Sequence, residues 1–154
     1  MCDKKVPDKV KGKLYKTVVK LAIIYGMETV PVTKAQGNKM EVDEMKMLRF
    51  SLGLTRLDQG HNETVRNRLK VGKLSDKLQE ALLRLYEHVQ QREENYVGKK
   101  VMNRTVGRRR GRRQRRCKEC IEEDMRKAGV QDEDTTERNI WRRMIRTGDP
   151  TQVG

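Results

Sequence analysis

Aromatic side chains are scarce in this chain, with one Trp, one Phe and four Tyr among 154 residues. A core therefore has to be built from Leu, Val, Ile and Met, and Met specifies packing loosely because its side chain adapts to many shapes. Charged residues (38%) outnumber apolar ones (34%), so such a core is thin. Marginal stability without a partner is expected, and some segments are expected not to order. Cysteine is equally sparse: Cys2, Cys117 and Cys120 are an odd number with the first at the terminus, which excludes a disulfide framework and points to reduced thiols. No apolar run is long enough for a signal peptide or a membrane span. Neither secretion nor a membrane partner is expected, and the sequons Asn62-Glu63-Thr64 and Asn103-Arg104-Thr105 are read as chance matches. The length suits one ordinary domain, or two small ones joined by a linker, and is too short for a modular polymerase.

What the chain does have is positive charge, unevenly placed. Lys and Arg number 36 against 22 Asp and Glu, a net charge of +14. Residues 97–116 hold ten basic and no acidic side chains, residues 1–96 carry a net +6, and residues 117–154 carry a net −2. The charge is a local tract rather than a general surface property, which points to a polyanionic partner.

Apolar spacing predicts helices. Between Lys9 and Met27, Leu14, Val18, Leu21, Ala22 and Tyr25 form a helical stripe that calls for burial, widened by Tyr15, Val19, Ile23 and Ile24. Pro31 forces an extended turn at the residue before it. A second helix is predicted over Lys34 to Leu52, with Met45, Leu48 and Leu52 on one face and Gly53 as its stop. Gly37 weakens its first turn by about 1 kcal/mol relative to Ala. Asn62 is placed as the cap of a short helix carrying Val65 and Leu69, followed after Gly72 by the most regular segment, where Leu74, Leu78, Ala81, Leu82, Leu85 and Val89 define one face of a helix ending near Arg92. From Glu93 to Arg116 the pattern stops and arginine accumulates, as in a linker or disordered basic arm. Beyond it Cys117, Ile121, Met125 and Ala128, then Trp141, Met144 and Ile145, mark two helices separated by Gly129, a hairpin too small to stand alone.

The fold expected is all-α: an irregular bundle of about four helices over 1–92, a basic, partly disordered linker over 93–116, and a C-terminal helical hairpin over 117–154. Within the linker, the candidate nucleic-acid-binding residues are Arg104, Arg108, Arg109, Arg110, Arg112, Arg113, Arg115 and Arg116. A guanidinium can donate two parallel hydrogen bonds to phosphate and can also stack on exposed bases. Neutralising several phosphates releases counterions and gives salt-sensitive, largely sequence-independent binding to RNA or DNA. The bland alternative is a solvated charged linker.

Other chemistry lacks its residues. Cys117-x-x-Cys120 is half a zinc site with no second pair, His61 and His88 being isolated from each other, and both cysteines share a face with Ile121, where a small hydrophobe fits. His88 has no sequence-adjacent nucleophile to activate. The acidic runs Glu122-Glu123-Asp124 and Asp132-Glu133-Asp134 suit helix ends and solvated faces better than a two-metal site. No phosphate-cradling Gly-x-x-x-x-Gly-Lys loop occurs. No catalytic residue, metal ligand or cofactor is assigned.

From about Lys13 to Pro150 the chain resembles the segment that follows the catalytic palm in reverse transcriptases of non-LTR retrotransposons of the RTE or BovB-like kind. The residues carrying the likeness are Tyr25-Gly26-Met27-Glu28-Thr29 with Pro31-Val32, then Glu44 to Arg49, Gly53-x-Thr55-Arg56-x-Asp58, Asn62-Glu63 and His88-Val89-Gln90-x-Arg92. The glycine-arginine arm from Gly107 to Arg112 and the ending Trp141-Arg142-Arg143-x-Ile145-Arg146-x-Gly148-Asp149-Pro150 complete it. The resemblance implies a helical thumb that cradles a template-primer duplex, followed by a basic extension that holds RNA or target DNA. It also implies no independent catalysis, because the palm and its Tyr-x-Asp-Asp strand are missing. The chain departs from the family at Val30, Phe50, Leu85 and Cys117, which replace tryptophan, at Glu87, which replaces glycine, and at Arg113, which replaces proline. Each lost tryptophan is expected to remove a large buried contact. Three readings follow: a non-catalytic nucleic-acid-binding fragment of the nucleus, nucleolus or cytoplasm; a decayed remnant without selected function; or a thumb supplied to a reverse-transcriptase palm in trans.

Overall fold

A computed structural model of the chain describes residues 5–27, 32–55, 58, 60–103 and 117–147, with the backbone alone at Cys117. The described residues are helical and contain no strand, as the apolar spacing leads one to expect. The chain divides into two compact units: unit 1 is Met1–Tyr25, Val32–Lys77 and Thr147–Gly154, and unit 2 is Gly26–Pro31 and Leu78–Arg146. These are divisions by packing, whereas the expected boundaries at 92 and 116 mark where the apolar period stops and resumes.

Unit 1 begins with one continuous helical run, α1 (Asp8–Leu14), a π-helical turn (Tyr15–Val19) and α2 (Lys20–Ile24). The face it buries matches the expected one only at Tyr15 and Ile24. Lys11, Gly12, Tyr15, Lys20 and Ile24 are buried, while Leu14, Val18, Leu21 and Tyr25 are exposed. The π turn explains how this works: Tyr15 and Lys20 are five residues apart, and the Lys20 N–H donates to the Tyr15 carbonyl. That wide step keeps Lys20 and Ile24 on the side already set by Lys11 and Tyr15. Both lysines are satisfied by backbone carbonyls, Lys11 Nζ donating to Ser51 O and Lys20 Nζ to Gly72 O, each at 2.9 Å. Ser51 lies in the last turn of α3 (Lys34–Leu52), where the helix dipole favours a cation. Gly12 lets the run approach the backbone, since a Cβ there would meet Leu69 O at 2.0 Å.

Helix α3 keeps its predicted bounds for local reasons. Thr33 and Gln36 form a reciprocal capping box, and Gly53 closes the helix in the left-handed region at φ 69°. Helix α4 (Asn62–Leu69) is not capped by Asn62, which is its first helical residue; the Asn62 Oδ1 instead accepts from Arg49 at 3.2 Å. The core of the unit is Tyr15, Met45, Leu48, Val65, Leu69 and Val71, bordered by Val19, Leu52 and Leu54. At its centre the fully buried Glu44 accepts from Tyr15 Oη at 3.1 Å, Arg66 Nη1 at 2.5 Å and Leu74 N at 3.4 Å. A buried carboxylate is tolerable only when paired and hydrogen-bonded in this way.

Helix α5 (Leu74–Gln90) gives its first residues to unit 1 and the remainder to unit 2. In unit 2, Leu82, Leu83 and Tyr86 pack with Ile121, Met125, Val130, Trp141 and Ile145. The buried face is broader than the expected one: Leu74, Leu82 and Val89 are buried as predicted, Leu83, Tyr86 and Glu87 are buried beside them, and Leu78, Ala81 and Leu85 are half-buried. Helices α7 (Cys117–Ala128) and α8 (Arg138–Met144), joined through a 3₁₀ turn (Asp132–Thr136), dock on this part of α5. Their inner face is as predicted at Ile121, Met125, Trp141 and Ile145, but Met144 is exposed. The expected linker opens with a further helix, α6 (Val97–Met102), whose Met102 packs on the same core. A short helix of that kind has too few apolar positions to show a period, which is why the spacing does not reveal it.

Candidate nucleic-acid interface

Arg104, Arg108, Arg109, Arg110, Arg112, Arg113, Arg115 and Arg116 all lie outside the described residues. The structure does describe what flanks them. On one side Met102, at the end of α6, packs on the core of unit 2; on the other, Cys120 and Ile121 of α7 are buried, Ile121 in that same core. The described residues on both sides of the arginine-rich segment thus pack in one unit.

Unit 2 adds cations that the sequence reading did not single out. Glu87 is buried, and Gln91 Nε2 donates to its Oε1 at 3.2 Å. Arg138 Nε lies 3.4 Å from Oε1 and Arg142 Nε 3.5 Å from Oε2, both arginines being largely solvent-accessible. Oε2 is buried without a hydrogen bond, so these guanidiniums are its charge compensation among the described residues. The signal available in sequence was faint: an i, i+4 arginine pair on α8 and, on α5, an acid next to Tyr86 of the apolar side. Nearby in the chain, the Arg92 guanidinium lies 5.9 Å from the Tyr96 ring centroid, and Arg92 approaches His88 Nε2 at 3.3 Å. His88 is exposed and makes a surface contact with Arg92.

Unit 1 carries a groove of about 820 Å³ along α3, with Val42, Met45, Phe50 and Leu54 on its apolar side and Lys46 and Arg49 on its polar side. Arg49 organises the adjoining residues, donating to Asp58 O at 3.3 Å and Gly60 O at 2.6 Å. Hydrogen bonds from the Thr55 backbone N–H and hydroxyl, aided by the Arg49 charge, hold the Asp58 carboxyl below its usual range. Phe50 is exposed, so no large buried contact is missing at this position, contrary to the expectation for it. Leu85 is half-buried, and Val30 lies outside the described residues.

Among the described residues no group of three or more His, Cys, Asp or Glu side chains could hold a metal ion, and no helix is long and apolar enough to cross a membrane. The acidic runs have structural partners: Asp134 Oδ2 accepts from the Gln131 backbone N–H at 2.8 Å, and Asp132 Oδ1 accepts from Tyr86 Oη at 2.5 Å. No protein-family model, no curated protein and no solved structure matches the chain.

Proposed function

We propose that this chain is a non-catalytic nucleic-acid-binding module that grips phosphates of RNA or DNA through Arg104, Arg108, Arg109, Arg110, Arg112, Arg113, Arg115 and Arg116. We further propose that it corresponds to the thumb and basic tail of a non-LTR retrotransposon reverse transcriptase acting from the nucleus, nucleolus or cytoplasm. The observation that carries the reading is the run of ten basic and no acidic residues over 97–116, set against a net −2 in the residues that follow. Such density of like charge repels itself and is favoured where phosphate neutralises it. The flanking residues Met102 and Ile121 pack in unit 2, next to the accessible arginines of α8. Arg138 and Arg142, accessible and fixed through Glu87, are natural auxiliary contacts.

Fluorescence anisotropy with a labelled single-stranded RNA and a labelled DNA duplex tests it. If six or more phosphates are engaged, affinity falls by about 10³-fold or more between 50 and 200 mM salt. Replacing the eight arginines by Gln is expected to remove most of the affinity at low salt. A native chain that binds neither probe in dilute buffer, or whose binding ignores salt, rules the reading out.

A further inference from the structure

The first helical run of unit 1 is amphipathic in the inverted sense. Its buried side holds two lysines, while Val10, Leu14, Val18, Leu21 and Tyr25 stand 53%, 43%, 57%, 59% and 87% exposed on the other. The steps between them, four, four, three and four residues, set them on the side of the run away from its buried residues, with Tyr25 just past the end of α2. The five side chains extend over about 22 Å of helix, enough for a small interface.

We propose that this exposed side is covered by a second copy of the chain, with the two helices antiparallel about a twofold axis near Val18. Two features of the sequence favour that occupant and orientation. The apolar spacing is nearly symmetric: in antiparallel register Val10 faces Tyr25 of the other copy, Leu14 faces Leu21, and Thr17 faces Val18. The charges are segregated: Lys9, Lys13 and Lys16 occupy the first half of the run, no acidic residue lies between Lys9 and Met27, and the second half carries only the buried Lys20. In the same register the three lysines face Gly26, Ala22 and Val19, so like charges do not meet, whereas a parallel pair would set lysine against lysine. A twofold pairing uses the same patch on both copies and closes, leaving no open chain of contacts. Because the rest of the molecule is strongly positive, salt that screens repulsion strengthens this association. That is the opposite of its effect on phosphate binding, so the two proposals fail separately.

Sedimentation of the full chain and cysteine cross-linking test the proposal. The expected result is a doubling of sedimenting mass at micromolar concentration, more complete in high salt, and its loss in the Leu14→Glu, Leu21→Glu double variant with helicity by circular dichroism retained. In a chain carrying Cys2→Ser, Cys117→Ser and Cys120→Ala, a single Val18→Cys is expected to cross-link to itself under mild oxidation. Val10→Cys and Tyr25→Cys are expected to cross-link when mixed, and neither alone. A monomer at all concentrations, a dimer indifferent to the glutamates, or Val10→Cys pairing with itself as readily as with Tyr25→Cys would each overturn it. So would native chain that stays monomeric yet binds phosphatidylserine vesicles through this side of the run.

Discussion

At Gly12 and Gly37 the same substitution is expected to have opposite effects. A Cβ at Gly12 would sit 2.0 Å from a backbone oxygen of Leu69, an atom that cannot move without displacing the end of α4, whereas a Cβ at Gly37 meets nothing within 4 Å. Gly12→Ala is accordingly expected to destabilise by about 2 kcal/mol or more, and Gly37→Ala to stabilise by about 0.5–1 kcal/mol, since alanine loses less conformational freedom in a helix. Urea unfolding of the two variants gives the signs, and a neutral Gly12→Ala would refute the close packing of the first run on α4. Tyr86 supplies a pH test. Burial first, and then its hydrogen bond to Asp132, push the phenol well above its ordinary value of 10.0. The folded state therefore favours the protonated phenol, and the associated stability is fully present below the unfolded pKa, near 10, and lost as pH rises beyond it. Tyr86→Phe is expected to lose about 1–3 kcal/mol at neutral pH through the missing hydrogen bond to the Asp132 carboxylate. Its deficit should shrink above pH 10, which melting curves of the two proteins at pH 7 and pH 10.5 would reveal.

Three helices end in the same way, with a left-handed residue followed by a buried or packed apolar one. The pairs are Gly53 with Leu54, Lys70 with Val71, and Gly129 with Val130. In each, the apolar residue's N–H reaches back five positions, to Arg49, Arg66 and Met125, the geometry of a Schellman turn. Two of the stops use glycine and are legible in sequence for that reason. Lys70 is not, because at φ 53° it holds a conformation that costs an L residue about 1–2 kcal/mol. Lys70→Gly is therefore expected to raise the unfolding midpoint in urea, and a lower midpoint would show that the lysine makes a compensating contact. The first helical run was the element hardest to read. Its apolar residues follow the 3.6 period, and only a five-residue step through the π turn brings Lys11, Tyr15, Lys20 and Ile24 to one side. A polar residue that ends up buried gives no periodic signal, since its burial depends on a carbonyl supplied from 40 or 52 residues away.

For the whole molecule the governing quantity is charge. A net +14 on 154 residues opposes compaction through self-repulsion. Raising ionic strength from a few millimolar to about 0.15 M shortens the screening length to about 8 Å and is expected to raise the melting temperature by several degrees. A melting temperature that fell with added sodium chloride would mean that ion pairs such as Arg66–Glu44, Arg138–Glu87 and Arg142–Glu87 contribute more than the repulsion costs. Under the proposed phosphate binding, the same salt would release nucleic acid, so the free and bound proteins would respond in opposite directions.

The helical class, the bounds of α3, the inner positions Ile121, Met125, Trp141 and Ile145, and the basic run over 97–116 were all determined by the sequence alone. They depend on local rules: apolar spacing, caps, and the sign of neighbouring charges. Which face of the first run is buried, how broad the buried face of α5 is, the burial of Glu44 and Glu87 with their arginines, and the existence of α6 were decided by the tertiary structure. Each of these depends on a partner distant in the chain, and whether a charged side chain can be buried is settled by whether the fold brings it a counter-charge or a carbonyl.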